Sequence, residues 1–260
     1  MPKRPAPADD AGERSSAVEK ALRIIEAVVE SAAPINMSAI ERATGLPRPT
    51  AHRVTNGLID AGYVERDPRQ RGHAPGPRLM ALAYQLLRNG TPRSRRLDVL
   101  DALSRETGEA SHFALLRGPM VHLLDQVPSP APLGVHYDGQ STLPAHCVAC
   151  GKVMLAFQPD AQREALLASC AMTRLTDRTV TDRRRLSASL RDIREAGLSV
   201  EEGEHVDGIV TMAAPVMAKS GGLFGALGLA VPQVRFGPAQ SKRFATALRQ
   251  SATQMSAIFD

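Results

Sequence analysis

Three stretches of this 260-residue chain hold side chains able to do chemistry. In RPTAHRVTN, residues 48–56, arginine, histidine and asparagine gather on what reads as one side of a helix. Arginine can grip guanine, and asparagine adenine, through paired hydrogen bonds in a DNA major groove. Arg48, Pro49 and Thr50 stand at the start of that helix, where a reading helix meets base edges or phosphates. Arg53 and Asn56 follow one turn on, and His52 reads either as a phosphate contact or as an ordinary surface residue. A solvated helix face is the plainer explanation, and only the neighbouring elements weigh against it.

The second stretch is LPAHCVACGKVMLAF, residues 143–157. Ala149, Cys150 and Gly151 fall at a predicted helix N-terminus. Small residues there leave backbone N–H groups open, and the helix dipole favours an anion such as a carboxylate. Lys152 adds positive charge but is free to point outward. The plainer reading is that small residues let the helix pack closely on a sheet. Cys147 and Cys150 also form a C-x-x-C with His146 beside it, a metal half-site or a redox pair. Structural zinc takes four ligands, and Cys170 and His205 could complete the set only if the fold brings them close. A helix N-terminus would also lower the Cys150 thiol pKa, which leaves a reactive cysteine open. A Cys/His hydrolase lacks a clear oxyanion hole and an orienting carboxylate, so no enzyme is expected.

The third stretch is GLSVEEGEHVDGIVTMAAPV, residues 197–216. Glu201, Glu202 and Glu204 sit where a loop crosses toward a strand, and Glu202 reads as solvated.

These residues need elements to position them. Val18, Leu22, Ile25 and Val29 recur at helical spacing, which predicts a helix over 16–31. In MSAIERATGL, Ser38 with Glu41 forms a capping-box pattern, and Gly45 ends that helix. The third helix, about 48–61, puts Ala51, Val54, Leu58 and Ala61 on one side and Pro49, His52, Arg53 and Asn56 opposite. YVERD and GHAP read as two strands around the turn PRQRG, whose Arg69 and Arg71 suit phosphates or a minor groove. The order helix, helix, turn, helix, basic hairpin is that of a winged helix-turn-helix. A helix over 76–90 follows, and TPRSRR reads as a linker or hinge. Beyond it come a helix ending at Gly108, a hairpin around residues 117–119 and a Pro/Gly-rich loop over 128–140. Helices at 160–169 and 183–196, a second hairpin around residues 220–222 and a last helix over 238–258 complete an α+β domain with an antiparallel sheet.

Composition bounds the partners. The net charge of +5 permits an anionic partner without proving one. Aromatics at 3%, with no Trp, argue against a stacking surface for single strands. Three cysteines make no disulfide framework, and no run of about 18 apolar residues appears. The N-terminus, MPKRPAPADDAGERSS, resembles no targeting segment and reads as disordered over 1–15. A cytoplasmic protein with no cofactor, no metal and no membrane contact is expected.

SSAVEKALRIIEAV, RPTAHRVTNGLIDAGYVERD, GHAPGPRLMALA, ETGEASHFALL, ACGKVMLAF, the long run from LTDRTV to MAAPV, and GALGLAVP occur in the order seen in IclR-type transcriptional regulators. The chain resembles that family over about residues 15–255. The resemblance implies a winged helix-turn-helix over 16–76, a linker helix over 77–91 and an effector-binding domain over 92–260 with a GAF/PAS-like α/β fold. It implies a homodimer, or dimer of dimers, on palindromic double-stranded DNA, switched by a small organic acid. The effector carboxylate would meet backbone N–H groups at Ala149 and Cys150. The opposite wall would be Glu201, Ile209, Thr211, Gly228 and Ala230. Thr211 stands where members often have Cys, Cys150 where Gly, Ala or Ser is common, and Gly228 and Ala230 where members that bind very small oxo-acids carry hydroxyls. Loss of two hydroxyls predicts a larger, more apolar pocket and a bulkier, aromatic acid. The alternatives are a redox or metal sensor built on Cys147 and Cys150, and, further off, an enzyme acting on the bound molecule.

Overall fold

The computed structural model describes residues 16–31, 33–67, 72–132, 134–135 and 142–259, with the side chains of 88 and 90–92 left aside. The expected disordered segment 1–15, Arg69 and Arg71 of the turn, and positions 133 and 136–140 of the long loop lie outside the described residues. The chain divides into two compact units, Met1–Leu86 and Leu87–Asp260.

In the first unit α1 (Ala17–Glu30), α2 (Met37–Thr44) and α3 (Arg48–Asp60) close on Ile24, Val28, Ile40, Leu46, Ala51, Leu58 and Val64. Ser16 and Glu19 start α1 with a capping box, each side chain accepting from the other's backbone N–H at 3.1 Å. Such a cap contributes about 1 kcal/mol. The core does not take the stripe that the spacing picked out. Ile24, Ala27 and Val28 face inward, while Val18, Leu22 and Val29 are 68%, 51% and 56% exposed. Helix α1 is apolar over an arc wider than one core face, so periodicity alone could not choose which part is buried. Nor is Ser38 a cap. The cap of α2 lies two residues earlier, where Asn36 Oδ1 accepts the Ala39 N–H at 2.9 Å. Strands β1 (Val64–Asp67) and β2 (Gly72–Pro75) pair antiparallel, and Ile35 bridges to His73 beside them. This is the expected three-helix unit with a two-stranded wing.

Helix α4 (Pro77–Arg88) crosses the division between the units. The segment TPRSRR is not a linker loop, because α5 (Gly90–Thr107) runs through it. Pro92 falls in the first turn, where helix N–H groups have no intrahelical partner anyway, so proline does not break the helix there. Arg93 and Arg96 pin that turn. Arg96 is fully buried and its Nε donates to Asp125 Oδ2 at 2.7 Å. Its Nη2 donates to the Leu87 carbonyl, and Arg93 Nε reaches Asp125 Oδ1 at 3.2 Å.

The second unit is a six-stranded antiparallel sheet in the order β5-β4-β3-β8-β7-β6. Its strands are β3 (Ala110–Arg117), β4 (Met120–Val127), β5 (Thr142–Pro144), β6 (Ser199–Glu202), β7 (Ile209–Met217) and β8 (Leu223–Pro232). Alternation along each strand divides the side chains between two helical layers. Phe113, Met212, Leu227, Leu229 and Val231 pack with Leu100 and Leu103 of α5 and Phe244, Leu248 and Met255 of α9 (Pro238–Ser256). On the other face Ala114, Ala213 and Ala226 meet α6 (Ala149–Phe157) and α8 (Arg183–Ala196). Helix α7 (Asp160–Ser169) lies beyond α6. A register shift between Phe113 and Ala114 interrupts the alternation where β3 pairs with β4. Asp125 lies opposite Phe113, over whose ring the Arg96 guanidinium stands. The antiparallel sheet between helical layers matches the expected α+β, GAF/PAS-like class.

Removing one partner of a buried ion pair leaves an uncompensated charge, which costs about 3–5 kcal/mol. Asp125→Ala should therefore lower the unfolding free energy of the second unit by about that amount in urea denaturation. Asp98→Ala, at an exposed position of α5, should change it by about 0.5 kcal/mol or less. Equal effects would show that the Arg96 pair is solvated.

Candidate functional site

Helix α3 is anchored by one face and open on the other. Ala51, Thr55 and Leu58 are buried. Arg48, Pro49, Arg53 and Asn56 are exposed, and Thr50 and His52 half-buried. All six candidates thus lie on one short helix clear of its core. Two already have protein contacts. Arg48 Nε lies 3.8 Å from Glu41 Oε1, an exposed and weak ion pair. Asn56 Oδ1 accepts from Arg66 Nη2 on β1 at 3.1 Å, which ties α3 to the wing and turns a basic side chain toward the same face. Arg66 was not singled out in the sequence. Only the strand register puts it beside α3.

In the second unit, strand register builds the other site. Glu201, Thr211, Ala230 and Ala110 pair in one row across β6, β7, β8 and β3. The next row on the same face holds Ala213, Gly228 and His112. Ile209 opens β7 on this face, half-buried. The N-terminus of α6 abuts the rows. Ala149 N–H donates to Thr211 Oγ1 at 3.2 Å, and Thr211 Oγ1 donates to Glu201 Oε2 at 2.9 Å. Glu201 Oε1 accepts from the backbone N–H of Glu204 and from that of His205. Gly151 has to be glycine, because a Cβ there would run into the backbone of Ala145 in the 3-10 turn Ala145–Cys147. Close approach is thus the reason for that small residue.

Lys152 does not point outward. It is buried and ion-paired with Glu204, whose other oxygen takes the Val180 N–H at 3.2 Å. A carboxylate was waiting inside for it, and burial is tolerable once the charge is paired. Glu202 is solvent-exposed, as its sequence suggested. Glu201 is only 2% exposed, and burial pushes its carboxyl above the ordinary value of 4.5 against the pull of its hydrogen bonds.

His112 escaped the sequence reading, where it was one residue of a strand. Its Nε2 lies 3.4 Å from Cys150 Sγ. Burial holds the imidazole down at about 4 and pushes the Cys150 thiol up to about 12. Both groups are neutral at pH 7, so this is no thiolate–imidazolium pair. Cys147 is also pushed to about 12, by burial first and then by the Glu201 and Glu204 carboxylates, and it donates to the Pro144 carbonyl. Reactive and metal-binding cysteines need thiolate character, which burial withholds here. Among the described residues no group of three His, Cys, Asp or Glu could hold a metal ion.

The room expected at Gly228 is already taken. A Cβ there would fall 2.8 Å from Cys150 Sγ and closer still to the His112 ring. The position lacks a side chain because a histidine from the neighbouring strand occupies the space. Ala230 keeps its small, buried surface in the row with Thr211.

An outward basic helix beside a wing, on a chain whose other unit is an α/β domain with a polar, buried site, defines a DNA-binding regulator with a sensing domain. Comparisons with known proteins carry this further. The family model for the bacterial transcriptional regulator IclR C-terminal domain matches residues 92–257, and that for the IclR helix-turn-helix domain matches 17–68. The chain belongs to the IclR family of transcriptional regulators. It is 32% identical to the "Probable transcriptional regulator SauR" of Cupriavidus necator over 94% of this chain and 97% of that one. The crystal structure of Thermotoga maritima IclR superposes with a TM-score of 0.63 at 22% identity, covering 92% of this chain and 97% of its own. An IclR homolog from Microbacterium hydrocarbonoxydans, crystallised with 4-hydroxybenzoate, does so at 0.58 and 23%, covering 94% and 99%. These two structures share the fold with this chain.

Two outcomes follow from the site. Gly228→Ser should destabilise the second unit by about 1–3 kcal/mol through overpacking, read by thermal melting, and adding His112→Ala should relieve the part due to the imidazole ring. A raised carboxyl favours the protonated folded form, so the stability it brings is present below pH 4.5 and is lost as pH rises through the folded value. Relative to Glu201→Gln, the unmodified protein should therefore lose stability as the pH climbs above 4.5. Parallel stability–pH curves for the two would refute a buried, desolvated Glu201.

Proposed function

We propose that this protein is a one-component transcription factor that binds a palindromic operator and is switched by an organic carboxylate. The exposed face of α3 carries the reading. Arg48, Pro49, Thr50, His52, Arg53 and Asn56 meet base edges and phosphates, with Arg69 and Arg71 of the wing on backbone or minor groove. The carboxylate lies against the α6 N-terminus at Ala149 and Cys150. Glu201, Ile209, Thr211, Gly228 and Ala230 form the opposite wall. An apolar body rests on Ala110, Ala230 and Ile209, so aromatic acids are the first to test. The ligand leaves unchanged, since burial keeps the Cys150 thiol protonated and makes the neighbouring His112 imidazole too weak a base to activate it.

A homodimer fits the apolar side chains of α1 and α4 that nothing in the first unit covers. Val18, Leu22 and Val29 are exposed on α1, and Met80, Leu82 and Leu86 on α4. Such surfaces mark interfaces, and a two-fold dimer buries the same patch on both partners. The linker 77–91, in which α4 ends at Arg88 and α5 begins at Gly90, then passes the effector's preference for one dimer state to the DNA-binding units. Only unequal affinity for the two states can do this. A cytoplasmic location suits this role, and no described helix is long and apolar enough to cross a membrane.

Operator binding followed by fluorescence anisotropy tests the reading. Arg53→Ala should cost about 1–3 kcal/mol and relax specificity at one base position. Removing Arg69 or Arg71 should weaken binding evenly across sequences and lower the salt slope by about one. Arg191→Ala, in the other unit, should do neither. If Arg53→Ala binds like the unmodified protein, α3 is not the reading helix.

A further inference from the structure

Glu201 leaves the candidate effector site with an unbalanced charge. The charged and titratable groups around it are Glu204 on the following loop, Lys152 on α6 and Cys147 on the turn before α6. His205 gives it a backbone N–H, and His146 stands near His205. Lys152 is spoken for by Glu204, and the Cys147 thiol is neutral, so no described side chain is left to balance an ionised Glu201.

The hydrogen bonds also have a direction. Ala149 N–H donates to Thr211, and the Thr211 hydroxyl spends its one proton on Glu201. An arriving carboxylate would find the Thr211 proton aimed away from it and a second carboxylate one hydroxyl behind. Two like charges sharing a desolvated site cannot both stay ionised.

We propose that effector binding is proton-linked through Glu201: one carboxylate and one proton enter together, and the Thr211 hydroxyl reverses. The inference rests on the carboxylate reading of this site. The proton comes from solvent and forms an O–H bond on Glu201. That O–H donates to Thr211 Oγ1. The freed Thr211 proton turns to the ligand, which also takes over the Ala149 N–H. No other bond is made or broken. The relay makes Thr211 and Glu201 a unit in which the glutamate acts on the ligand through the threonine. The effector response would then strengthen as the surroundings acidify, and a neutral ligand of the same shape would escape the linkage.

The test is calorimetry on the full chain with benzoate, 4-hydroxybenzoate and succinate, at pH 6, 7 and 8, in buffers of different ionisation enthalpy. 4-Hydroxybenzamide serves as the neutral comparison. The expected result is net proton uptake on binding each acid, at most about one proton, and an affinity that falls as pH rises, by up to about tenfold for each pH unit. The amide should bind with no uptake. Glu201→Gln should abolish uptake and flatten the pH profile, while Glu201→Asp, which keeps a titratable carboxyl, should retain both. Acid binding without proton uptake overturns the linkage and leaves the carboxylate site standing. Uptake that persists in Glu201→Gln overturns the role of Glu201. If no acid in the set gives heat or a melting shift at any pH, the carboxylate reading itself falls, and the linkage with it. Should Glu201→Gln fail to fold, the buffer series on the unmodified protein decides alone.

Discussion

Three charged side chains buried at one helix end organise the second unit. Lys152, Glu204 and Glu201 are mostly out of water, and a buried charge is tolerable only with partners in place. Their partners come from four separate segments. The backbone N–H of Val180, the hydroxyl of Thr211, the N–H groups of Glu204 and His205, and the ammonium of Lys152 all converge there. Thr176 and Thr179 complete the loop by donating to the carbonyls of Gly203 and Glu204 at 2.6 Å. Loops that would otherwise run over the surface are held against α6 by this demand for satisfaction. The apolar layers set where the sheet lies. The polar cluster sets where its covering loops lie.

Much of this was legible in the sequence, and the failures have physical causes. Alternating or helical apolar spacing placed both hairpins and most helices, because burial of one face leaves a periodic trace. Gly45 and Gly108 mark helix ends and do take the left-handed conformation. What was missed depended on register. Glu201 was read at a loop, yet β6 is a four-residue edge strand whose pairing with β7 puts it beside Thr211. His112 looked ordinary because only the β3–β8 pairing sets it opposite Gly228. Nothing near Lys152 in the sequence keeps it from pointing outward, and the carboxylate that draws it in lies 52 residues away. In each case the deciding partner is distant in sequence, where local spacing carries no information.

The misreading of TPRSRR has a different origin. Proline and a cluster of arginines suggest an exposed connector, but the first helical turn accepts proline and Asp125 gives Arg96 a buried destination. The same guanidinium holds the Leu87 carbonyl near the end of α4. One side chain therefore joins the end of one helix, the start of the next and a sheet strand. A segment that reads as slack in the sequence is helical and tied to the sheet through Arg96.

The histidine that fills the space above Gly228 also constrains how this pocket can change over time. Positions 112 and 228 lie on different strands but share one volume, with Cys150 as the third occupant. A larger residue at 228 is harmful while histidine remains and less so once it has gone and only Cys150 Sγ must give way. Loss of the ring by itself opens a void. Descendants of this sequence that place a hydroxyl at 228 must cross one of those two unfavourable intermediates, and the order of steps matters. Relatives are expected to hold the two positions as a matched pair, and a survey that scores each position by itself would overlook the dependence.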